Sequence, residues 1–343
     1  AADPSPVLDR LLAALAREGV RLTSHRVRLL VAHRVVDQVG LRTAEAAVAA
    51  VDSDRAELRL AVKEQDDFFA TYAVSTWSPL VTRLFARLRL SPTLATAFSV
   101  VFAAVAATLF AFGGRPALIA GAVLLYLGFV LDCVDGQLAR YTRRFSPWGG
   151  WLDTIADRAK EYIVYAGLAV GVERAGLGNG WALAIAAMTL QTVRHMTDTW
   201  YGVLHDEAAR RPKPATASSG LGARLGQASA RVQADVGSLT YWLKRTVVFP
   251  IGERWALIAI TVALFNPLAS LVAVLVWGGL AFLYTLALRS LRGRSLRMPV
   301  LAVVDTALYR DDGLLARWFG RWTASVRIPR PLAGAVLAVL AAV

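Results

Sequence analysis

The chain has 343 residues, of which 56% are hydrophobic and 18% charged, and its formal net charge is +13 at pH 7. Soluble domains of this length normally have about a quarter of their residues charged, so the composition disfavours a soluble protein and predicts several membrane-spanning helices. The basic residues suit loops that face anionic lipid or a phosphate-bearing ligand. They are scattered without interleaved aromatic residues, which disfavours nucleic-acid binding.

The first 65 residues are polar and rich in Ala and Arg, with leucines at helical spacing from Leu8 to Leu15. They predict a small helical region in the cytosol. Residues 66–92 place aromatic and aliphatic side chains between arginines, which predicts an amphipathic interfacial helix. The chain begins without Met and ends inside the apolar run LAGAVLAVLAAV, so we expect it to be part of a longer protein.

Six apolar segments then approach the ~20 residues that are needed to cross the hydrocarbon core of a membrane. They cover residues 93–112, 116–140, 149–171, 181–201, 248–265 and 267–288. Glu253 and Arg254 lie near the start of the fifth segment, where we expect them to pair at the interface. The pattern therefore predicts an all-α integral membrane protein with six transmembrane helices.

The loop charges predict the orientation of these helices. The links after segments one, three and five are short, with Arg115 and Arg174 as their basic residues, whereas the opposite loops carry many Lys and Arg residues. By the positive-inside rule both ends of the membrane domain are cytosolic. We expect this multi-pass domain, in the cell membrane, to cover residues 66–290, followed over 291–343 by a cytosolic tail and the start of a further apolar segment.

Four aspartates lie at the predicted cytosolic ends of the second and third segments. Asp132 and Asp135 share one helix face, and Asp153 and Asp157 share another, together with Gly149. Ser146 and Pro147 form a good start for the third segment, and the short link makes the two helices antiparallel neighbours.

Converging carboxylates in a membrane are tolerable when divalent cations bind them, and ligands that are all oxygen suit Mg²⁺, Mn²⁺ or Ca²⁺ rather than zinc. The alternative is that the aspartates form interfacial ion pairs with nearby cations, which are Arg140, Arg143, Arg144, Arg158 and Lys160.

These residues carry a resemblance to a known family. The pattern D-x2-D-G-x2-A-R-x8-G-x3-D-x3-D resembles the signature of the CDP-alcohol phosphotransferase family and is matched at each fixed position, which are Asp132, Asp135, Gly136, Ala139, Arg140, Gly149, Asp153 and Asp157. The resemblance implies transfer of a substituted phosphate from a CDP-alcohol to an acceptor alcohol, with release of CMP. It also implies a homodimer whose active site faces the cytosol.

The resemblance further implies a role for each matched residue. The four aspartates hold two Mg²⁺ ions, which Mn²⁺ can replace, and Asp157 also accepts the proton of the attacking hydroxyl. Gly136, Ala139 and Gly149 leave space for the cytidine nucleotide, and Arg140 contacts the diphosphate.

The chain departs from the family pattern at two positions. Thr93 stands where the family usually has Asn, which bears on a nucleotide contact, whereas Thr96 matches a usual threonine. Asp67 stands where bifunctional members have Gly, at the end of the link from an upstream nucleotidyltransferase domain. Residues 1–65 could therefore be the remnant of such a domain.

The acceptor is less clearly specified. Arg158, Arg194, Lys244 and Arg245 are candidates to bind an acceptor phosphate, which favours a phosphorylated polyol such as inositol phosphate. Arg194 could instead pair with Asp198 four residues on, and Lys244 and Arg245 could be membrane anchors. Amino alcohols or serine remain open as acceptors. CDP-diacylglycerol, CDP-inositol and CDP-glycerol remain open as donors.

Two other protein classes compete with this interpretation. A membrane transporter for divalent metals would also cluster acidic residues in helices, but near the middle of the membrane and with access from both sides. A membrane scaffold without catalytic activity would explain the hydrophobicity and leave the aspartate pattern unexplained.

Overall fold

The computed structural model describes residues 7–18, 37–63, 66–209 and 238–293, together with the single positions 35 and 232. All regular structure in these ranges is helical, with no β-strand among them. Most of the link between the fourth and fifth predicted segments lies outside the described residues. The tail from residue 294 onward, including its expected apolar segment, lies wholly outside them.

Among the described residues before Asp66, the structure forms three helices, namely α1 (Val7–Arg17), α2 (Gln38–Ala49) and α3 (Ser53–Ala61). The Asp37 and Asp52 side chains accept backbone hydrogen bonds at the starts of α2 and α3, as expected of N-cap residues. Helix α3 packs against helices α4 (Ser78–Arg87) and α6 (Arg115–Thr142), so this part of the N-terminal region is docked on the helices that follow.

The segment predicted as one interfacial helix over 66–92 is divided in two. It forms a π-helical turn, Ala70–Val74, and then helix α4, Ser78–Arg87. Ser78 and Thr82 are buried and hydrogen-bond to Gln137 of α6, which fixes one face of α4 against the bundle. The opposite face leaves Leu80 and Leu84 exposed, and an interfacial location for it stays a prediction.

Seven further helices follow in the described ranges. They are α5 (Pro92–Phe112), α6 (Arg115–Thr142), α7 (Pro147–Arg174), α8 (Gly180–Ala209), α9 (Leu239–Val247), α10 (Ile251–Leu264) and α11 (Pro267–Gly293). The predicted start of α7 is confirmed, because the Ser146 hydroxyl accepts the Gly149 N–H and Pro147 occupies the first turn.

Helices occupy all six segments predicted to span the membrane, but the count of six spans is confirmed only in part. By length and composition α5, α6 and α11 could cross a membrane, and α9 with α10, bent by 75° between them, could form a fourth span. Helix α7 is more polar because it carries the charged residues from Asp153 to Glu161. Helix α10 begins at Ile251, three residues after the predicted start.

The core of the bundle forms where α6 and α7 each pack along α5. Close packing against α5 depends on small residues: a Cβ at Gly167 would lie 2.4 Å from the Ala107 carbonyl oxygen, and one at Gly171 would lie 2.3 Å from that of Phe110. The outer faces of α5 and α11 expose large apolar residues such as Val101, Val276 and Leu280, as expected of helices that contact lipid.

Candidate active site

Three of the four aspartates converge on one point. Carboxylate oxygens of Asp132, Asp135 and Asp153 all lie within 4.8 Å of one another, which allows one ion to contact all three. Hard divalent cations such as Mg²⁺ prefer this donor set, so the residues fit a divalent metal. Helices α6 and α7 meet here across a gap, because both pack on α5 and neither packs extensively on the other. The short link predicted that α6 and α7 pack directly against each other, whereas each packs mainly on α5.

Helix α5 supplies a hydrogen bond to this cluster. The Thr96 hydroxyl donates to Asp135 at 2.6 Å, and both residues are buried. A neutral donor holds one carboxylate oxygen in place without using a positive charge. Thr96 matches the family pattern, and its place beside Asp135 gives that match a physical reason.

The fourth aspartate, Asp157, has a different partner. The Lys160 ammonium forms an ion pair with Asp132, lies 3.0 Å from Asp157 Oδ1 and donates to Ser99 Oγ at 3.1 Å. The alternative interpretation, in which the aspartates form ion pairs, therefore holds for Asp132 and Asp157. The described residues show no such pair for Asp135 or Asp153.

A cleft of about 610 Å³ opens beside Asp135 and Asp153, which is within the size range of small-molecule sites. Its wall includes all four residues predicted to face the nucleotide, namely Gly136, Ala139, Arg140 and Gly149. Thr93, the departure from the family pattern, also lines the cleft, together with Arg144 and Phe145.

Arg140 lines this cleft, and a contact with the N-terminal region holds its side chain in place. Its Nε donates to the Ala61 carbonyl oxygen at the end of α3, at 2.5 Å. Its guanidinium folds back over Gly136, where an added Cβ would lie 3.3 Å from Nη1. Helix α3 is itself fixed by Asp54, which accepts hydrogen bonds from Arg83 of α4 and Tyr141 of α6. The hydrogen bond from Tyr141 and the charge of Arg83 lower the pKa of Asp54.

Asp67, the second departure from the family pattern, connects the approach segment to α10. Its carboxylate accepts the Gly252 N–H at 3.0 Å, and the Glu253 side chain accepts the Phe68 N–H at 3.0 Å. Burial raises the pKa of Asp67. The expectation that Glu253 pairs with Arg254 is wrong, because Arg254 contacts Glu161 at 3.0 Å.

One turn beyond Asp157 along α7, about 6 Å by helical rise, lies a second charged group that we term the arginine network. Glu161 is 2% exposed and contacts Arg158 at 2.6 Å and Arg254 at 3.0 Å. Arg254 and Arg194 both donate to the Phe249 carbonyl oxygen. The network comprises Arg158, Glu161, Arg194 and Arg254, and its formal charge is +2.

The two terminal nitrogens of Arg194 in this network have different surroundings. Its Nη2 donates to the Val248 carbonyl oxygen at 2.7 Å, whereas its buried Nη1 has no hydrogen-bond partner among the described residues. The predicted alternative, a pair with Asp198, is not what the side chains form, since Asp198 pairs with Arg289. Arg245 lies on α9 and donates to the Tyr241 hydroxyl, and Lys244 lies on the same helix. Acceptor roles for both stay predictions.

The sequence analysis missed the structural roles of Ser99, Glu161 and Arg254. Glu161 follows Asp157 at i+4 and so shares its helix face, which was a usable signal. Ser99 and Arg254 come from other helices, and no local spacing indicated that they would reach this site.

Comparisons with known proteins show similarity to three synthases or transferases over part of the chain. The chain is 34% identical over 91 residues to an archaetidylinositol phosphate synthase of Aeropyrum pernix, which covers 26% of this chain and 45% of the relative. It is 30% identical over 93 residues to a bifunctional IPC transferase and DIPP synthase of Aquifex aeolicus, covering 27% and 21%. An archaetidylinositol phosphate synthase of Pyrococcus horikoshii is 41% identical over 49 residues, covering 14% and 26%.

These matches span less than half the length of each relative. The broader comparison, with family models, covers more of the chain and includes both the aspartates and the cleft. The CDP-alcohol phosphatidyltransferase model matches residues 89–285, more than half of the chain, which therefore belongs to that family.

Proposed function

We propose that this protein transfers a substituted phosphate group from a CDP-alcohol to the hydroxyl of an acceptor alcohol and releases CMP. The observation that carries the proposal is the convergence of Asp132, Asp135 and Asp153 beside a cleft whose wall includes Gly136 and Arg140. A cluster of carboxylates alone would suit many cation sites. Its position beside a cleft of about 610 Å³, with Asp135 and Asp153 in the cleft wall, favours a transferase over a transporter in a member of this family.

Asp132, Asp135 and Asp153 would hold a divalent cation, for which we propose Mg²⁺ with Mn²⁺ as a substitute. When bound, the ion would neutralise negative charge on the diphosphate of the donor. The family resemblance implies a second ion that involves Asp157, and the contacts of Lys160 bear directly on that expectation.

The cleft would bind the cytidine diphosphate part of the donor. Gly136, Ala139 and Gly149 present little or no side chain there, so a nucleotide can approach the backbones of α6 and α7. Arg140 would contact the diphosphate, and its hydrogen bond to Ala61 holds the guanidinium at the cleft wall. In this role the positively charged guanidinium is already oriented before the donor binds.

In the chemical step the acceptor oxygen would attack the phosphorus that bears the donor's alcohol. The bond between this phosphorus and the oxygen of CMP would break, and CMP would leave with the electron pair. Asp157 would take the proton from the attacking hydroxyl. Its position on α7 between the cluster and the arginine network suits a base that lies between donor and acceptor.

The acceptor we propose is a phosphorylated polyol such as inositol phosphate. The arginine network has a net positive charge, and Arg194 Nη1 is a buried donor with no partner among the described residues; a phosphate oxygen would satisfy it. Two of the relatives are named archaetidylinositol phosphate synthase, and the third is named as an IPC transferase and DIPP synthase. These names favour an inositol-containing substrate.

We also propose that the protein spans the cell membrane six times as a homodimer, with its active site at the cytosolic side. Helices at all six predicted segments and the concentration of basic residues in alternate loops support the topology. In this proposal residues 66–290 form the membrane domain, and residues 1–65 are a cytosolic region. Helix α3 of that region accepts a hydrogen bond from Arg140 in the cleft wall. Cysteine-accessibility labelling of the loops would test the sidedness, and cross-linking in vesicles would test the dimer.

A transfer assay tests the central proposal. Purified protein in lipid vesicles is incubated with radiolabelled inositol phosphate and either CDP-diacylglycerol or CDP-inositol, with Mg²⁺ or with EDTA. We expect labelled product and CMP with Mg²⁺ and loss of both in EDTA. Asp153→Asn removes one cluster carboxylate and should abolish turnover, whereas Asp206→Asn, on the exposed end of α8, should not. Equal turnover in EDTA would contradict the metal-dependent reaction.

A further inference from the structure

Lys160 is buried within the aspartate cluster. Only 3% of its surface is exposed, and its ammonium contacts two of the four carboxylates, those of Asp132 and Asp157. In the described part of the chain, Lys160 makes both of the ion pairs that involve the four aspartates. Lys160 is therefore a constituent of the site and not an anchor at its edge.

The positions of the carboxylates divide the site into two parts. Asp132, Asp135 and Asp153 come together closely enough to share one ion, and Asp157 is not part of that group. The Lys160 ammonium lies between Asp132 and Asp157. A second divalent ion that bridged these same two carboxylates would need the place that the ammonium occupies.

The surroundings of Lys160 also oppose its displacement by such an ion. Ser99 is the third polar contact of the ammonium, and the small space beside it is otherwise lined by apolar or small residues, namely Ala103, Leu125, Gly128, Phe129 and Trp255. An ammonium pushed into that space would lose two carboxylate partners, and burying an uncompensated charge is costly. If it stayed in place, it would repel a dication a few ångströms away.

We propose that Lys160 takes the place of the second metal ion, so that the active site works with one divalent cation and one ammonium group. This inference rests on the proposed function, in which the three-carboxylate group binds a divalent ion. Lys160 is then a positioning residue: it balances the charge of Asp132 and fixes the carboxylate of Asp157 towards the acceptor. The sequence expectation of two ions per site is replaced by one.

Counting bound Mn²⁺ tests the proposal without measuring activity. The full chain in detergent is saturated with Mn²⁺ in the presence of CDP, which carries the cytidine and diphosphate of the donor. Bound metal is counted by elemental analysis after desalting, and electron paramagnetic resonance separates an isolated ion from a pair. Two ions ~4 Å apart, the usual spacing in two-metal sites, give an exchange-coupled spectrum.

We expect one isolated Mn²⁺ per wild-type chain, one in Lys160→Arg, and a coupled pair in Lys160→Ala, where the second position is open. A coupled pair in the wild type would overturn the proposal, as would a single ion in a folded Lys160→Ala variant. If Lys160→Ala does not fold, the wild-type count still decides. No bound ion in the wild type would contradict the metal-dependent function itself, which distinguishes that failure from a failure of the Lys160 inference.

Discussion

The cleft beside Asp135 and Asp153 and the arginine network lie next to each other along α7, yet their residues come from different parts of the sequence. The residues that line the cleft lie between positions 91 and 153, at the start of α5, the end of α6 and the start of α7. The network joins Arg158, Arg194 and Arg254, which lie on three helices, α7, α8 and α10. Fixed spacing within neighbouring helices specifies the cleft, whereas only the folded bundle brings the network together.

The two regions also differ in the size of their side chains. The cleft is formed mostly by small residues, together with Arg140, Arg144 and Phe145, so we expect its ligand to approach backbone atoms. The network is filled by long charged side chains, three arginines around one glutamate. A substitution that adds volume should therefore damage the cleft most, and one that removes charge should damage the network most.

The largest effect is expected from Gly136→Leu. The new side chain would meet the Arg140 guanidinium, which already lies 3.3 Å from the position of an added Cβ, and would project into the cleft. We expect CDP binding, measured by calorimetry, to fall below detection while the protein still folds. Gly279→Leu is the matched control, because no atom lies within 4 Å of an added Cβ there. Unchanged CDP affinity in Gly136→Leu would mean that the nucleotide binds elsewhere.

Asp157→Asn should act on turnover rather than on donor binding. The amide keeps the size of the side chain and one oxygen but cannot accept a proton, so we expect the turnover number to fall by at least ~10²-fold. CDP affinity should change far less, because Asp157 lies outside the group of three converging carboxylates. Asp132→Asn provides the contrast and should reduce both quantities. Near-normal turnover in Asp157→Asn would exclude it as the base.

The residues behind these two predictions were recognisable from sequence. The spacing of Asp132, Asp135, Asp153 and Asp157 placed them on two helix faces, and Ser146 marked the start of α7; the structure confirms that start and brings three of the four together. The role of α5 could not be predicted in the same way. Thr96 and Ser99 reach the cluster because α6 and α7 both pack on α5, and no periodicity within a segment reports which helix lies between two others.

Charged residues in the apolar segments were misread for a related reason. Proximity in sequence suggested that Glu253 pairs with Arg254, and a separation of four residues offered Asp198 as a partner for Arg194. In the bundle, Arg254 contacts Glu161 and Asp198 contacts Arg289, partners that are about ninety residues apart. Buried charges pair with whatever the packed helices bring close, so local spacing is a poor guide to them.

Arg194→Ala tests whether the network binds the acceptor. Hydrogen bonds to charged groups contribute about 1.5–3 kcal/mol, so the KM for inositol phosphate should rise roughly 10- to 100-fold while the KM for the donor stays within about twofold. Arg245→Ala is the comparison variant, because Arg245 was also a candidate from sequence but donates to Tyr241 outside the network. A larger acceptor effect from Arg245→Ala than from Arg194→Ala would move the acceptor site to α9.

The smallest effect is expected from Asp54→Asn, which weakens the attachment of α3 above the cleft. Asp54 accepts hydrogen bonds from Tyr141 and Arg83, and these lower its pKa below the ordinary value of 3.8. A carboxyl with a lowered folded-state pKa contributes stability that is present above 3.8 and is lost as the pH falls through the folded-state value. Because the side chain is 44% exposed, this contribution should be no more than about 1 kcal/mol.

The measurement compares unfolding of wild type and Asp54→Asn in detergent between pH 7 and pH 3. The difference should be constant near neutrality and shrink below pH 3.8; Glu57→Gln, which removes an exposed carboxylate from the same helix, is the control. The KM for the donor should rise modestly, because the Ala61 carbonyl that orients Arg140 moves with α3. The absence of a stability difference near neutrality would mean that Ala56 and Leu58, on the buried apolar face of α3, hold the helix in place. The cleft would then depend on apolar packing of the N-terminal region and not on its charges.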